Sequence, residues 1–276
     1  MLNLIASYQK SGNTWVRALM TALDAGGESV DINALRGPIT AERAFFDDAL
    51  EIETSDLLDR EQFRLQPSAY RVAVPPRAVG FPMKIHDAWL PAPGASEPPL
   101  PWERIGAVVL VVRDPRDVAP SLAQHRGLGI DEAIAFMADR GTIIAGTRDG
   151  LRAQLPQFMS SWSAHTMSWL NSGLRLTLVR YEDLIADPVA AFTTIVRTFG
   201  RNPSQAELVT AVEAARFEAL QAQEAREGFR EASRHAPRTF FGSGRAGGWR
   251  DRLTATQASR IVQDHGAVMR ELGYDG

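Results

Sequence analysis

Cysteine is absent from the 276 residues, which excludes disulfides, thiolate zinc sites and a cysteine nucleophile. A reducing compartment suits such a chain. No run approaches the ~20 apolar residues that a membrane span needs, and no basic stretch with a long apolar core opens the sequence. A cytoplasmic location with no membrane association is therefore expected. An excess of either charge sign is also lacking: 33 acidic residues face 30 basic ones, for a net charge of −3 and a pI near 6.0. Without a global basic field no nucleic-acid partner is expected, and any anion site has to be a local cluster. Internal repeats and low-complexity tracts are missing too. What remains, 45% hydrophobic and 23% charged, is the composition of an ordinary globular chain.

Three segments share one grammar of apolar strand, polar turn and helix. They are "LNLIASYQKSGNTWVRALMTAL", "IGAVVLVVRDPRDVAPSLAQHR" and "LRLTLVRYEDLIADPVAAFTTIVRTFG". Ala107 to Val112 form a continuous apolar run suited to a buried parallel strand; Leu174–Val179 form another, followed by a helix closed by Gly200. A fourth short strand, in "AVGFPMKIH", ends at His86. Alternating strands and helices predict an α/β fold, a parallel sheet flanked by helices with its turns gathered on one edge. One domain over residues 1–276 is expected. The proline-rich stretch 91–101 reads as an extended loop, and the acidic stretch 41–65 as short helices. The segment from Arg226 to Leu253 is rich in arginine and glycine and is expected to be mobile and basic. An amphipathic helix closes the chain.

The turn "KSGNT" combines Lys10, the Ser11 and Thr14 hydroxyls and Gly12 directly before a helix beginning near Trp15. Unpaired N–H groups at a helix N-terminus carry about half a positive charge, and glycine lets an oxyanion approach the backbone closely. An anion cradle is one reading. A surface turn with an Asn/Thr cap is the other. The Walker A order, G-x-x-x-x-G-K-[ST], does not apply, because Lys10 precedes Gly12.

Taken together, four stretches resemble the motifs of sulfotransferases that use 3′-phosphoadenosine 5′-phosphosulfate (PAPS). "YQKSGNTW" (8–15) is similar to their 5′-phosphosulfate loop and "VVRDPRDVAPSLAQH" (111–125) to their 3′-phosphate element. "RYEDL" (180–184) resembles the element whose tyrosine meets the adenine, and "GRAGGWRDRLT" (244–254) the C-terminal signature. The resemblance covers essentially the whole chain and points, within the family, to bacterial enzymes that tailor small molecules and glycopeptides. It implies the P-loop-NTPase-like sulfotransferase fold, PAPS as co-substrate with no metal, and a small-molecule hydroxyl acceptor. Family members are often dimers, so a homodimer is the expected assembly.

The resemblance also assigns roles. Lys10, Ser11, Gly12, Asn13, Thr14 and Trp15 would hold the 5′-phosphosulfate, with Trp15 also near the adenine. Arg113 and Ser121 would hold the 3′-phosphate, and Tyr181 and Phe217 would pack on the base. Gly244 and Arg245 belong to the C-terminal signature, whose usual Arg-Lys-Gly opening reads Gly242-Ser243-Gly244 here. Arg245, or the Gly244 N–H with the Ser243 hydroxyl, is left to serve the 3′-phosphate. Gln9 stands where proline is usual. Arg116 and Asp117 read as bracing their turn and capping its helix.

"MKIHDAW" (83–89) resembles the family's Lys-Thr-His element, which makes His86 the general base and Lys84, with Lys10, the charge on the transferring group. Lys84 and His86 share one strand face by alternation. The other histidines, 125, 165, 235 and 265, read as structural. An acceptor pocket is expected beyond His86, walled by 91–101 and 225–245. Phe45, Phe46, Trp89 and Phe229 are candidate walls, with plain core packing as the alternative. A rival function is a P-loop-type nucleotide-dependent kinase with Asp114 on magnesium, and a second is a non-catalytic binding relative.

Overall fold

The computed structural model describes residues 1–146, 150, 152–232, 240–242 and 244–274. Its strands are β1 (Leu2–Ser7), β2 (Met83–Ile85), β3 (Ile105–Val112), β4 (Ile143–Ile144), β5 (Gln157–Phe158) and β6 (Leu176–Arg180). The helices of the first half are α1 (Asn13–Asp24), α2 (Arg43–Leu50), α3 (Asp59–Val72), α4 (Pro115–Arg126) and α5 (Ile130–Ala138). Those of the second half are α6 (Trp162–Leu170), α7 (Tyr181–Ala186), α8 (Pro188–Thr198), α9 (Gln205–Ala214), α10 (Phe217–Glu227) and α11 (Ala255–Glu271).

The central parallel sheet has the order β2-β1-β3-β6. In β3 every residue except Gly106 is buried, as a β-branched run covered on both faces should be. β1 pairs in parallel with β2 through Ile5 opposite Lys84. The other edge of Lys84 is also taken: its N–H donates to the Pro38 carbonyl and its carbonyl accepts from Thr40 N, both at 2.9 Å. The strand bearing Lys84 is thus fixed from both sides. β4 and β5 form a separate antiparallel pair.

Residues 1–8, 37–110 and 139–177 form one compact unit; 9–36, 111–138 and 178–276 form another. The first packs Phe46, Phe63, Tyr70, Trp162 and Trp169 at its core. The second packs α1 against α8 and α9, burying Leu19, Met20, Phe192, Ile195 and Leu208. The acidic stretch does form the helices α2 and α3, and 91–101 is free of helix and strand.

Several boundaries differ from expectation. α1 starts at Asn13 because Gly12, at φ 108°, turns the chain directly into the helix. β2 stops at Ile85, one residue before His86, and β6 starts two residues later and ends one residue later than the apolar run suggests. The third segment holds two helices rather than one. Asp187 breaks them at φ −142°, since the residue before Pro188 is pushed out of the helical region while its carboxylate caps α8 through Ala190 N. The C-terminal helix has a capping box between Thr254 and Gln257.

Candidate functional site

The three turns that follow β1, β3 and β6 meet within the second unit. Lys10 at φ 66° and Gly12 at φ 108° flank Ser11, a pair of left-handed residues that curls the backbone before α1. Trp15 N and Val16 N already donate to the Gly12 carbonyl, at 3.0 and 3.2 Å. No side chain caps the helix and no acid lies in its first turn, so nothing negative competes for its N-terminal dipole. A Cβ at Gly12 would stand 2.7 Å from the Tyr181 ring, so glycine is required by φ and by space.

Arg113 joins these turns. Its Nη1 donates to the Lys10 carbonyl at 3.2 Å and its Nη2 to the Arg245 carbonyl at 3.1 Å. Its guanidinium lies 4.4 Å over the Tyr181 ring. Burial holds the Tyr181 phenol above its usual range, against the pull of that cation. Trp15 meets Tyr181 edge-on at 6.0 Å and donates from Nε1 to the Ala215 carbonyl at 2.9 Å. Gly244, at φ 61°, lies against Phe217: a Cβ there would be 2.7 Å from its ring. One continuous set of contacts thus joins Lys10, Gly12, Trp15, Arg113, Tyr181 and Arg245, with Phe217 and Gly244 as a pair beside it.

Other candidates are less tied in. Asn13 and Thr14 open α1, both buried. Ser121 is half-buried in the second turn of α4, with no hydrogen bond to the others among the described residues. The Arg245 side chain is exposed; its carbonyl, not its charge, engages Arg113. Gln9 reaches Arg126 only at 3.5 Å, long for a hydrogen bond. Ser243 and His235 lie outside the described residues. The Lys10 ammonium sits 3.4 Å over the Phe240 ring, a cation–π contact the sequence did not suggest.

The neighbouring acids act structurally, with one change of role. Asp114, not Asp117, caps α4 by accepting Arg116 N at 2.8 Å. It also holds the Arg116 guanidinium through Nε at 3.0 Å and Nη2 at 2.9 Å. Asp117 instead accepts Gly247 N at 2.6 Å and Trp249 N at 2.8 Å, fastening the C-terminal signature to α4. Burial raises the Asp117 pKa, and the Arg113 cation partly offsets this. Glu182 accepts Asp114 N at 3.0 Å and the Tyr274 hydroxyl at 2.9 Å.

Lys84 and His86 belong to the first unit. His86 is 8% exposed, and its Nδ1 lies 2.8 Å from the Ser7 carbonyl. A carbonyl can only accept, so Nδ1 carries the proton and, in the neutral ring, Nε2 carries the lone pair. That is the tautomer a general base needs. The Ser7 contact is a backbone one, which no residue pattern announces. Beyond His86 the strip is clamped: Ala88 N donates to the Phe158 carbonyl at 2.8 Å, Phe158 N to Asp87 Oδ1 at 2.8 Å, and Trp169 Nε1 to the Asp87 carbonyl at 3.0 Å. Burial pushes the Asp87 carboxyl up to about 7. His165 is fully buried, edge-on to Tyr8 at 5.5 Å, and burial lowers its pKa to about 3, with the His86 backbone opposing; it is a neutral packing group. His265 is likewise buried and lowered to about 4.

Of the candidate pocket walls, Phe46 is core, packed with Phe45 on Tyr70. Phe229 packs with Phe240 and Phe241. Trp89 stacks 5.1 Å from Trp169 and lines an open cavity of ≈ 460 Å³ with Leu90, Pro98 and residues of α6. Neither Lys84 nor His86 lines that cavity.

The residues present suit a sulfated nucleotide. Among the described residues the Ser11 hydroxyl and Arg113 Nε are buried with no hydrogen-bond partner, beside an uncapped, acid-free helix N-terminus. The described residues contain no group of three or more His, Asp or Glu that could hold a metal ion, and no helix long and apolar enough to cross a membrane. With Asp114 engaged by Arg116, nothing supports the kinase reading.

Comparison with known proteins agrees. A family model described as a sulfotransferase domain matches residues 3–273. Sulfotransferase 1E1 of Cavia porcellus is 24% identical over 208 residues, covering 75% of this chain and 60% of the length of that relative. Retinol dehydratase in complex with androsterone and the inactive cofactor PAP superimposes with a TM-score of 0.61 at 20% identity, over 97% of this chain and 80% of that one. Mouse sulfotransferase SULT7A1 complexed with PAP does so with a TM-score of 0.62 at 17% identity, over 98% and 84%. At these identities the structural likeness is one of fold. The family model reaches nearly end to end, across every turn described above, and the chain belongs to the sulfotransferase family.

Proposed function

We propose that this chain, acting as one sulfotransferase domain, transfers a sulfuryl group from PAPS to the hydroxyl of a small molecule. The observation that carries the reading is the Lys10–Gly12 turn, whose buried Ser11 hydroxyl and uncapped α1 are tied by Arg113 to the turns after β3 and β6. The solved relatives are described with PAP, and retinol dehydratase with androsterone or retinol, which supports a hydroxylated small molecule as acceptor.

Sulfuryl transfer resembles phosphoryl transfer, an in-line displacement in which the protein positions groups and stabilises charge. Lys10 and the N–H groups opening α1 meet the negative charge that grows on the bridging oxygen as its bond to sulfur breaks. Lys84 adds charge near the sulfonate oxygens. His86 Nε2 takes the proton of the acceptor hydroxyl as the new O–S bond forms. The products are the sulfated acceptor and adenosine 3′,5′-bisphosphate. Arg113, Ser121 and the Gly244–Arg245 peptide serve the 3′-phosphate, while Trp15, Tyr181 and Phe217 pack on the base.

Calorimetry tests the reading. A charged hydrogen bond is worth about 1.5–3 kcal/mol, so adenosine 3′,5′-bisphosphate should bind at least ~10-fold tighter than AMP, without metal. Equal affinity for the two would refute it, as would failure to consume PAPS across phenols, sterols and sugars.

A further inference from the structure

The C-terminal signature lacks charge at Gly242 and Ser243, yet the backbone beside them is held firmly by α10. Glu224 Oε1 accepts Phe240 N at 2.5 Å and Oε2 accepts Phe241 N at 2.9 Å. One turn earlier, Gln221 Nε2 donates to the Phe241 and Gly242 carbonyls, both at 3.0 Å. Two side chains at i and i+3 of one helix face thereby satisfy four backbone groups spread over three consecutive residues.

Glu224 is only 6% exposed and forms no ion pair among the described residues. Burying a carboxylate is costly unless its oxygens are met. Here two successive amides meet both oxygens, a pairing that neutral glutamine cannot reproduce, because its NH2 would face an N–H.

What this clasp fixes leads to the site. Phe240 carries its ring to the Lys10 ammonium, and Phe241 packs 6.0 Å from Phe217. Three residues after Phe241, Gly244 abuts Phe217, and the Arg245 carbonyl accepts Arg113 Nη2. We propose that Gln221 and Glu224 are positioning residues that set the 240–242 backbone, and through it the Gly244–Arg245 peptide, for the 3′-phosphate of the nucleotide. The proposal rests on the reading of the site given above, and it supplies a positioned backbone in place of the charged residues missing from the signature. Geometry imposed by the helix does the work that a direct charge would otherwise do.

The test is calorimetry of adenosine 3′,5′-bisphosphate and AMP on the wild-type chain, Glu224→Gln and Gln221→Ala, with KM for PAPS measured alongside kcat. Glu224→Gln is expected to weaken the bisphosphate ~10-fold, equivalent to about 1.4 kcal/mol, and AMP by no more than ~2-fold. Gln221→Ala should weaken it ~3-fold with the same selectivity. The loss should fall on KM for PAPS more than on kcat. Bisphosphate affinity unchanged in both variants, or bisphosphate and AMP weakened alike, would overturn the proposal, since loose folding would weaken both ligands together. Should Glu224→Gln not fold, Gln221→Ala decides alone, because residue 221 is exposed. A wild-type chain that does not prefer the bisphosphate over AMP would refute the parent reading, and the proposal with it, before any variant is compared.

Discussion

Replacing Asp87 with asparagine should stabilise the protein in a pH-dependent way whose size follows from its burial. Asp87 is 2% exposed, and its Oδ1 accepts Phe158 N at 2.8 Å. Burial pushes its pKa from an ordinary 3.8 up to about 7. Between those values the folded chain keeps the proton and the unfolded chain has lost it. Stability therefore falls as pH rises through this window, by up to about 1.4 kcal/mol per pH unit. The full effect is on the order of 4 kcal/mol, present below the unfolded pKa and lost as pH passes 7. Asparagine does not titrate, and its Oδ1 still accepts the Phe158 amide. The advantage of Asp87→Asn over wild type should grow from pH 4 to 7 and level off above. Urea unfolding at pH 4, 5.5, 7 and 8.5, with comparable m-values, measures it. A difference that stays flat with pH would refute the reasoning. So would a variant that loses stability relative to wild type as pH rises, since Asp87 would then be a stabilised anion. Turnover should change little, because the clamp on the His86 strip survives.

Two further outcomes concern the chemistry. His86→Gln should leave adenosine bisphosphate affinity near wild type, lower kcat with an alcohol acceptor by roughly 10²–10⁴, and remove the acid limb of the kcat–pH profile, since the base is required neutral; an alcohol turned over at nearly the wild-type rate would place the base elsewhere. Lys10→Met should lower kcat by more than it weakens nucleotide binding, because its charge matters most as the bridging oxygen becomes anionic, and a loss confined to KM for PAPS would contradict that.

The parts of the site that sequence reveals are those whose chemistry demands a residue type. A backbone at φ 108° with an aromatic ring 2.7 Å from where a Cβ would stand needs glycine, so Gly12 stands out; a buried parallel strand needs β-branched residues, so β3 does too. The parts it hides are carried by backbone groups. The Ser7 carbonyl fixes the His86 tautomer, yet any residue could supply that oxygen. Glu224 meets amides 16 and 17 positions away, a pairing with no spacing rule, and its surroundings in α10 read as an ordinary polar helix. Asp117 looks like a helix cap from its place after Pro115, but Asp114 already holds that position, which leaves Asp117 for Gly247 and Trp249. The break at Asp187 was legible in the Asp-Pro pair, while the apolar count on either side suggested continuity.

Arg113 shows how one side chain can organise the turns of the fold and, under the proposed function, leave a donor for the ligand. A guanidinium has five N–H donors in a fixed plane. Two of them reach the carbonyls of Lys10 and Arg245, residues 103 and 132 positions away in sequence, while the flat face covers Tyr181. Nε remains buried and without a hydrogen-bond partner among the described residues, inside a site free of competing acid in the first turn of α1. A buried donor of this kind costs stability unless something meets it, and a phosphate oxygen would do so at charge-assisted strength. Lysine carries the same charge at a single point and could not span two carbonyls while covering a ring. The arginine at the end of β3 is therefore required by the assembly of the turns before any nucleotide arrives.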